Sequence, residues 1–334
     1  KKEVVPQFIP HTSPIQAGDF CVPLESIPAF VRIQDGFSRI GSPRPLYMLH
    51  GPRQFGKTTI ALGVQQCFPD VKCVYIALQA DDMANEERFW KTLGRAIRAG
   101  SRCYCDSYES FICLVYEVAS KEKKTICLVV DELDVLFGNY ELARAFLSAI
   151  RSLRGNSSFW GFLGVGSHKL VLDHHIAGMY TAAELIQMQP FSTEKMATFF
   201  RLIARRYDFA DSLRQGIIGY SSGAPGEFAA MIRFTIDNGK WGLEWADWEL
   251  WFKWTKFHEY LKKHNEAYER TRKQLADLDP SRWAALECVL QHNGALTADE
   301  LLSMGVVVKG SGLQLSVVSK VMHRVCFEAL QARN

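Results

Sequence analysis

The chain has 334 residues, of which 48% are hydrophobic, and a formal net charge of +3. This length and apolar content exclude a disordered chain and allow two or three domains. The mild charge neither demands nor excludes nucleic acid as a partner. Nine cysteines are scattered without Cys-x2-Cys spacing, and no apolar run approaches the ~20 residues that cross a bilayer. Composition therefore predicts an intracellular protein of the cytoplasm or nucleus that does not bind a membrane.

The first 40 residues contain five prolines among apolar patches, and the chain begins at Lys1 without methionine. We therefore expect that an upstream segment was removed or left out. Residues 1–43 are predicted to form a tethering arm and not a domain. Whether this arm also covers part of a bound ligand stays open.

A short apolar stretch, Pro45–His50, predicts a buried parallel strand that enters a glycine-containing loop. The loop matches the pattern Gly-x4-Gly-Lys-[Ser/Thr] and consists of Gly51, Pro52, Arg53, Gln54, Phe55, Gly56, Lys57, Thr58 and Thr59. Glycines let the backbone N–H groups surround an anion, Lys57 would reach the outer phosphates, and the Thr58 hydroxyl would coordinate Mg²⁺. Thr58–Phe68 predicts a helix that points its N-terminus at the phosphates. The alternative is a plain strand-to-helix turn.

A second motif follows a predicted strand, Lys72–Ala80, and two predicted helices, 86–99 and 108–119. Thr125–Glu132 is an apolar strand that ends in two carboxylates, which is the form of a Walker B element. Asp131 would hold the Mg²⁺ shell, and Glu132 would polarise the attacking water. The alternative is that both acids cap the next helix.

The next predicted elements are a helix at 140–153, a strand at 159–167 and a last core strand at 183–190. A strand inserted between the loop strand and the Walker B strand is the hallmark of P-loop ATPases with an additional strand and a catalytic glutamate, the ASCE class. That class places a sensor of the γ-phosphate where Ser167 and His168 lie. The alternative for this pair is a solvated strand end. The sequence thus predicts an α/β fold with a P-loop parallel sheet over residues 44–190.

Beyond this core, Phe191–Glu194 opens a helix with capping-box character, and Gly223-Ala-Pro225 forms a turn before another helix. This order resembles the STAND branch of the ATPases, whose relatives are the AAA-like Orc/Cdc6 and NB-ARC proteins. The resemblance implies a helical lid within residues 191–275 and a nucleotide contact by Pro225. Many STAND proteins carry a sensor arginine where this chain has His168 and Lys169. A neighbouring subunit or one of five arginines would replace it: Arg151, Arg154, Arg201, Arg205 and Arg206.

Five tryptophans recur at intervals of three and four between Trp241 and Trp254. This spacing predicts one tryptophan-rich helix that runs to about Tyr260. We favour a helix docked on the lid or on the next domain over an interface with a protein partner or a second copy. Interleaved lysines leave nucleic acid open as a further alternative.

Residues 276–334 contain three predicted helices, at 281–291, 297–304 and 315–330, and resemble a winged-helix module. We therefore expect an all-α tail after the ATPase core. The last helix is rich in valine and poor in base-reading side chains. This composition favours a structural or protein-binding module over sequence-specific DNA reading.

The stretches Leu49–Thr59 and Val129–Asp134 also resemble the NTPase part of fungal and oomycete Crinkler-type proteins. That resemblance implies secretion and action in the nucleus of a host cell. The tail lacks an Asp…Glu-x-Lys constellation of the nuclease type.

The motifs together predict Mg²⁺-dependent ATP binding and hydrolysis by a nucleotide-controlled switch. Two alternatives stay open, namely a DNA-associated ATPase and a non-catalytic interaction protein that keeps bound ATP. Apart from ATP, the partners left open are a second copy of the chain, a protein bound by the tryptophan-rich helix or the terminal module, and DNA as the less favoured choice.

Overall fold

A computed structural model describes residues 22–333 except 40, 42, 84, 99–104, 173–181, 205, 253, 293–300, 303, 305 and 310–314. The chain divides into two compact units. One, which we call the sheet unit, comprises Leu24–Gly51 and Lys57–Met188. The other, the helical unit, contains Pro52–Gly56 and the chain from Gln189 onward.

The sheet unit is built on five parallel strands. They are β1 (Leu46–His50), β2 (Val71–Ala77), β3 (Thr125–Asp131), β4 (Phe159–Gly166) and β5 (Glu184–Gln187). Their order in the sheet is β2-β3-β4-β1-β5, so β4 separates the loop strand β1 from the Walker B strand β3. An inserted strand, as the ASCE class requires, is thereby confirmed, and the structure identifies it as β4; the strand predicted at 72–80 is β2 and lies at an edge.

Helices cover both faces of this sheet. They are α1 (Pro28–Ser38), α2 (Lys57–Cys67), α3 (Glu86–Ile97), α4 (Tyr108–Glu122), α5 (Tyr140–Leu153) and the short α6 (Lys169–Leu172). Helices α3, α4 and α5 bury a common core with the side chains of Met48, Leu128 and Phe162. Tyr47, the neighbour of Met48, instead packs its ring against Phe37 of α1. Because successive strand residues point to opposite faces, a strand covered on both sides is apolar on both, as β3 is from Ile126 to Val130.

Side chains at the helix ends fix where these helices begin. Asn85 accepts a hydrogen bond from the backbone of Arg88 in α3, and Asn139 accepts one from Leu142 in α5. Ser107 and Ser110 form a reciprocal capping box at the start of α4. These caps satisfy N–H groups that have no partner within the helix.

The helical unit contains α7 (Thr193–Ile203), α8 (Asp211–Ser221), α9 (Pro225–Asp237), α10 (Trp245–Phe252), α11 (Trp254–His264), α12 (Glu266–Ala276), α13 (Pro280–His292) and α14 (Lys320–Arg333). A short antiparallel pair, β6 (Val307–Lys309) and β7 (Leu315–Val317), precedes α14. Among the described residues, no helix is both long and apolar enough to cross a bilayer.

The predicted tryptophan-rich helix is corrected at its start, because Trp241 precedes α10, which begins at Trp245. Residue 253, between α10 and α11, lies outside the described residues. Trp248 of α10 is fully buried and donates its indole N–H to Thr235 Oγ1 at 3.0 Å. Its ring stacks on Trp245 and on Phe252. Trp248 therefore belongs to the interior of the helical unit, as expected for a docked helix.

The predicted all-α tail is corrected at residues 315–317, which form strand β7 and not the first turn of a helix. Helix α14 begins at Lys320, and the preceding Ser319 accepts a hydrogen bond from the backbone of Met322 at 2.9 Å. A serine cap favours a helix start at this point, and valine is well suited to a strand. The predicted helix at 297–304 lies mostly outside the described residues.

The predicted arm contains a helix that its prolines did not reveal. Helix α1 starts at Pro28, since proline suits the first turn, and it buries Phe30, Ile33 and Phe37. Residues 1–21 lie outside the described residues.

Glu227 in the first turn of α9 is an almost completely buried carboxyl group. Burial raises its pKa to about 7, against the opposing effect of a hydrogen bond from Ser319. Its Oε2 atom accepts no hydrogen bond from the described residues. The folded protein therefore holds a proton on Glu227 at a pH where the unfolded chain is ionised.

We predict that stability falls as the pH rises from about 4.5 to 7, because this raised pKa favours the protonated folded state. Glu227→Gln, a neutral isostere, should be more stable than the parent at pH 8 by an amount on the order of 3 kcal/mol. The difference should shrink towards pH 4.5. Denaturant unfolding at several pH values checks this, with the exposed Glu249→Gln as control. A constant difference across pH would contradict the assignment.

Candidate functional site

The loop from Gly51 to Thr59 combines tight turns with the start of a helix. Gly51 and Gly56 have φ values of +152° and +79°, which are unfavourable for residues with a Cβ. A Cβ on Gly51 would also lie 2.9 Å from Met188 Cβ. Gln54 adopts a left-handed φ of +62° although it is not glycine. Since α2 begins at Lys57, its first N–H groups point back into the loop, as an anion site requires.

Lys57 folds back over the start of the loop. Its Nζ donates a hydrogen bond to the carbonyl oxygen of Gly51 at 2.9 Å. The positive charge is thereby held where the loop motif requires one for phosphate oxygens.

The Walker B carboxylate and the loop hydroxyl are in direct contact. Thr58 Oγ1 donates to Asp131 Oδ2 at 2.7 Å, although 73 residues separate them in sequence. Tyr75 of β2 donates its hydroxyl to the same oxygen at 3.0 Å, and the Glu132 backbone N–H donates to Oδ1 at 2.9 Å. Asp131 is only 4% exposed. Its carboxylate is therefore fixed on both oxygens.

Thr58 and Asp131 suit a magnesium ion. Mg²⁺ prefers oxygen ligands, keeps several waters, and is commonly held by one carboxylate, one hydroxyl and the substrate phosphates. Among the described residues, no group of three or more histidine, cysteine or acidic side chains is arranged to hold a metal by itself. The donor set fits an ion whose other ligands are water and phosphate oxygens.

Glu132 differs from Asp131 in being exposed and in having a left-handed φ of +54°. It directly precedes the 3-10 turn Leu133–Gly138. No hydrogen bond from its side chain caps that turn, so capping does not account for this acid. The backbone turn separates the two carboxylates, with one buried at the strand end and one presented to solvent.

Ser167 follows β4 directly and is held by Asp134. Its hydroxyl donates to Asp134 Oδ2 at 2.7 Å, and its backbone N–H donates to Oδ1 at 3.3 Å. Ser167 is 8% exposed, so the description of a solvated strand end does not apply to it.

His168 pairs with His50, the last residue of β1. The two Nδ1 atoms lie 3.3 Å apart, and both rings are buried. Two neutral imidazoles make this contact only as complementary tautomers, in which one Nδ1 carries the proton and the other accepts it. Burial, then His168 and Lys57, lower the pKa of His50 to about 4. The imidazole of His50 is therefore neutral at physiological pH.

Two of the five candidate arginines lie at the amino ends of the strands, away from the phosphate loop. Arg154 donates through Nε to the carbonyl of Arg44, which precedes β1, while the loop follows the other end of that strand. Arg151 is one turn earlier in the last turn of α5, which returns to this amino edge. Neither residue is therefore placed to sense phosphate within its own chain. Arg205 lies outside the described residues.

Pro225 stands at the first position of α9 in the helical unit. The next residue, Gly226, donates its backbone N–H to the Gln54 carbonyl at 3.0 Å. The residue directly after the Gly-x-Pro turn therefore bonds to Gln54, a phosphate-loop residue that belongs to the same unit.

Sequence reasoning missed several residues at these contacts. His50 was recognisable as the last strand residue before the loop, and Tyr75 lies near the carboxyl end of a neighbouring strand. Asp134 was visible in the acidic run that follows β3. Asn265, which contacts Gln54 from a helix junction, had no sequence signal.

Comparison with solved structures supports the fold. The chain is similar to the Walker-type ATPase of Pyrococcus abyssi, with 14% identity, a TM-score of 0.65, and coverage of 96% of this chain and 99% of that one. It is similar to Cdc6p of Pyrobaculum aerophilum, with 13% identity, a TM-score of 0.51 and coverage of 94% and 96%. The Orc2 protein of Aeropyrum pernix, in ADPNP and ADP complexes, matches with 14% identity, a TM-score of 0.51 and coverage of 91% and 93%.

No family model and no curated protein matches the chain. Structural similarity at 13–14% identity shows the fold alone. The chain has the fold of a P-loop ATPase of the ASCE class with a helical C-terminal part.

We predict that His50 stays neutral well below pH 6, because its pKa is lowered to about 4 in the folded protein. Its imidazole resonances in an NMR titration should show a midpoint near 4, whereas the denatured chain should titrate near the ordinary value of about 6.5. The folded state resists protonation, so this group contributes stability above pH ~6.5 that is lost as the pH falls towards 4. A folded-state midpoint at the ordinary value would contradict the buried pair.

Proposed function

We propose that the protein binds ATP with Mg²⁺ and hydrolyses it. The observation that carries the proposal is the hydrogen bond between Thr58 and Asp131, which joins the loop hydroxyl to the Walker B carboxylate. A phosphate loop alone would serve many anions. A hydroxyl and a buried carboxylate in contact beside that loop are what a phosphate-bound Mg²⁺ requires.

The loop residues divide the work of binding. The backbone N–H groups of the loop after Pro52 and the N-terminus of α2 cradle the phosphates, and Lys57 neutralises the outer ones. Thr58 and Asp131 hold the metal shell. When bound, the ion offsets the negative charge that develops on the transferred phosphoryl group.

Glu132 is the proposed general base. It lies one residue after the metal-binding carboxylate, and its side chain is exposed, whereas the carboxylate of Asp131 is buried. Proton transfer from an attacking water needs a carboxylate that is close to the metal site and yet does not ligate the metal.

Ser167 and His168 are the proposed sensor of the γ-phosphate. Asp134 holds the Ser167 backbone and hydroxyl, and His50 holds the His168 ring. If His50 is the donor in the histidine pair, Nε2 of His168 carries its proton and becomes a hydrogen-bond donor. His50 would then determine which tautomer the sensor presents.

The STAND-like switch is the finer part of the proposal. In it, Pro225 and the lid helix α9 follow the state of the nucleotide. The hydrogen bond from Gly226 to Gln54 supports this switch, since it joins the first turn of α9 to a residue of the phosphate loop. DNA association, self-association and a Crinkler-type role stay predictions from sequence.

Two variants separate binding from hydrolysis. Lys57→Ala removes a charge-assisted contact to phosphate, so ATP affinity should fall about 10- to 100-fold. Glu132→Gln should bind ATP with unchanged affinity and lose about 100-fold or more in turnover, because general-base catalysis contributes that much. Calorimetry gives the affinities, and single-turnover hydrolysis gives the rates.

Matched controls use the same chemical changes at exposed positions. Lys121→Ala and Glu141→Gln alter exposed side chains on α4 and α5 and should behave as the parent does. Unchanged affinity in Lys57→Ala would remove ATP binding at this loop. Unchanged turnover in Glu132→Gln would favour a protein that keeps ATP without using this glutamate as a base.

A further inference from the structure

Gln54, at the tip of the phosphate loop, forms two hydrogen bonds within the helical unit. Its carbonyl oxygen accepts the Gly226 N–H at 3.0 Å, and its side-chain Nε2 donates to Asn265 Oδ1 at 2.7 Å. The second bond spans 211 residues of sequence. Gln54 therefore meets partners on both its backbone and its side chain.

Asn265 is a fixed acceptor. It is 3% exposed and lies at the junction between α11 and α12, where its backbone N–H donates to the Leu261 carbonyl at 2.8 Å. Its Oδ1 also accepts the backbone N–H of Tyr268 at 2.9 Å and so caps α12. The atom that receives Gln54 is thus already oriented by the helix that it caps.

The approach of α9 to Gln54 is equally close. A Cβ built on Gly226 would lie 2.5 Å from Gln54 Cβ and 3.0 Å from its carbonyl oxygen. Glycine is the residue that this contact admits without displacement. The loop tip is therefore packed as well as hydrogen-bonded within the helical unit.

Gln54 needs such support. Its left-handed backbone conformation is disfavoured for a residue with a side chain. Gln54 is neither glycine nor asparagine, the residues that adopt this conformation most readily. The hydrogen bonds at its backbone carbonyl and at its side-chain amide stabilise a conformation that the isolated loop would populate less.

We propose that Asn265 is a positioning residue for the phosphate loop, and that it makes nucleotide affinity depend on the α11–α12 junction. This inference rests on the proposed function. Asn265 holds the Gln54 side chain, Gln54 keeps the loop tip in its left-handed turn, and the loop presents its N–H groups to phosphate. By thermodynamic linkage, bound nucleotide strengthens the Gln54–Asn265 contact by the same factor.

Replacement of Asn265 can separate this role from helix capping. Asn265→Ser keeps a good capping residue for α12, but its shorter side chain does not reach Gln54. Gln54→Met keeps the length and removes the donor. We expect each variant to lower ATP affinity about three- to tenfold, the range for one buried hydrogen bond. Asn265→Asp retains an acceptor oxygen and should stay close to the parent.

A double-mutant cycle on ATP affinity gives the decisive readout. If the two side chains act through one bond, Asn265→Ser combined with Gln54→Met should lose no more than either alone. Ser192→Ala, which removes a cap from α7 in the same unit, should leave the affinity unchanged. Additive losses, or an unchanged affinity in Asn265→Ser, would overturn the positioning role.

A second measurement keeps this inference distinct from the proposed function. If the parent binds no ATP, the proposed function fails, and amide hydrogen exchange without nucleotide decides the positioning role. Faster exchange of the Gln54–Gly56 amides in both Asn265→Ser and Gln54→Met would support it. Unchanged exchange in those variants would overturn it.

Discussion

The contact between Thr58 and Asp131 is the constraint on which the sheet unit depends. Strand β4 lies between the strands that lead to these residues, so β1 and β3 are about 10 Å apart in the sheet. The loop must cross that gap before α2 begins, and it does so with two glycines and a left-handed glutamine. The parallel sheet brings its polar residues together because every strand presents its carboxyl end at the same edge.

Much of the sheet unit was predictable because its three central strands, β1, β3 and β4, are buried on both faces and are therefore mostly apolar in sequence. Helix α5 was predicted at its observed bounds, and β3 was predicted to end in Asp131 and Glu132. The acidic pair and the loop were also predictable, because each is a short motif of residues that are adjacent in the sequence. The pairing of Thr58 with Asp131 follows from strand order, which the motifs themselves indicated.

The missed features depend on contacts distant in sequence. Asn265 is an ordinary helix cap in the sequence, and only the fold brings it within 2.7 Å of Gln54. Strand β7 was assigned to a helix because a short valine-containing run fits either structure until its partner strand is known.

The first turn of α9 unites three constraints on consecutive residues. Pro225 pre-sets the helix start, Gly226 admits the close approach of Gln54, and Glu227 buries a carboxyl group beside Ser319 at the start of α14. Gln54, Glu227 and Asn265 line one small cavity in the helical unit. The carboxyl group of Glu227 and the hydrogen bond between Gln54 and Asn265 are therefore neighbours in the same cavity wall. Ionisation of Glu227 would place an uncompensated charge in that cavity, so the closely packed first turn of α9 favours the protonated carboxyl group.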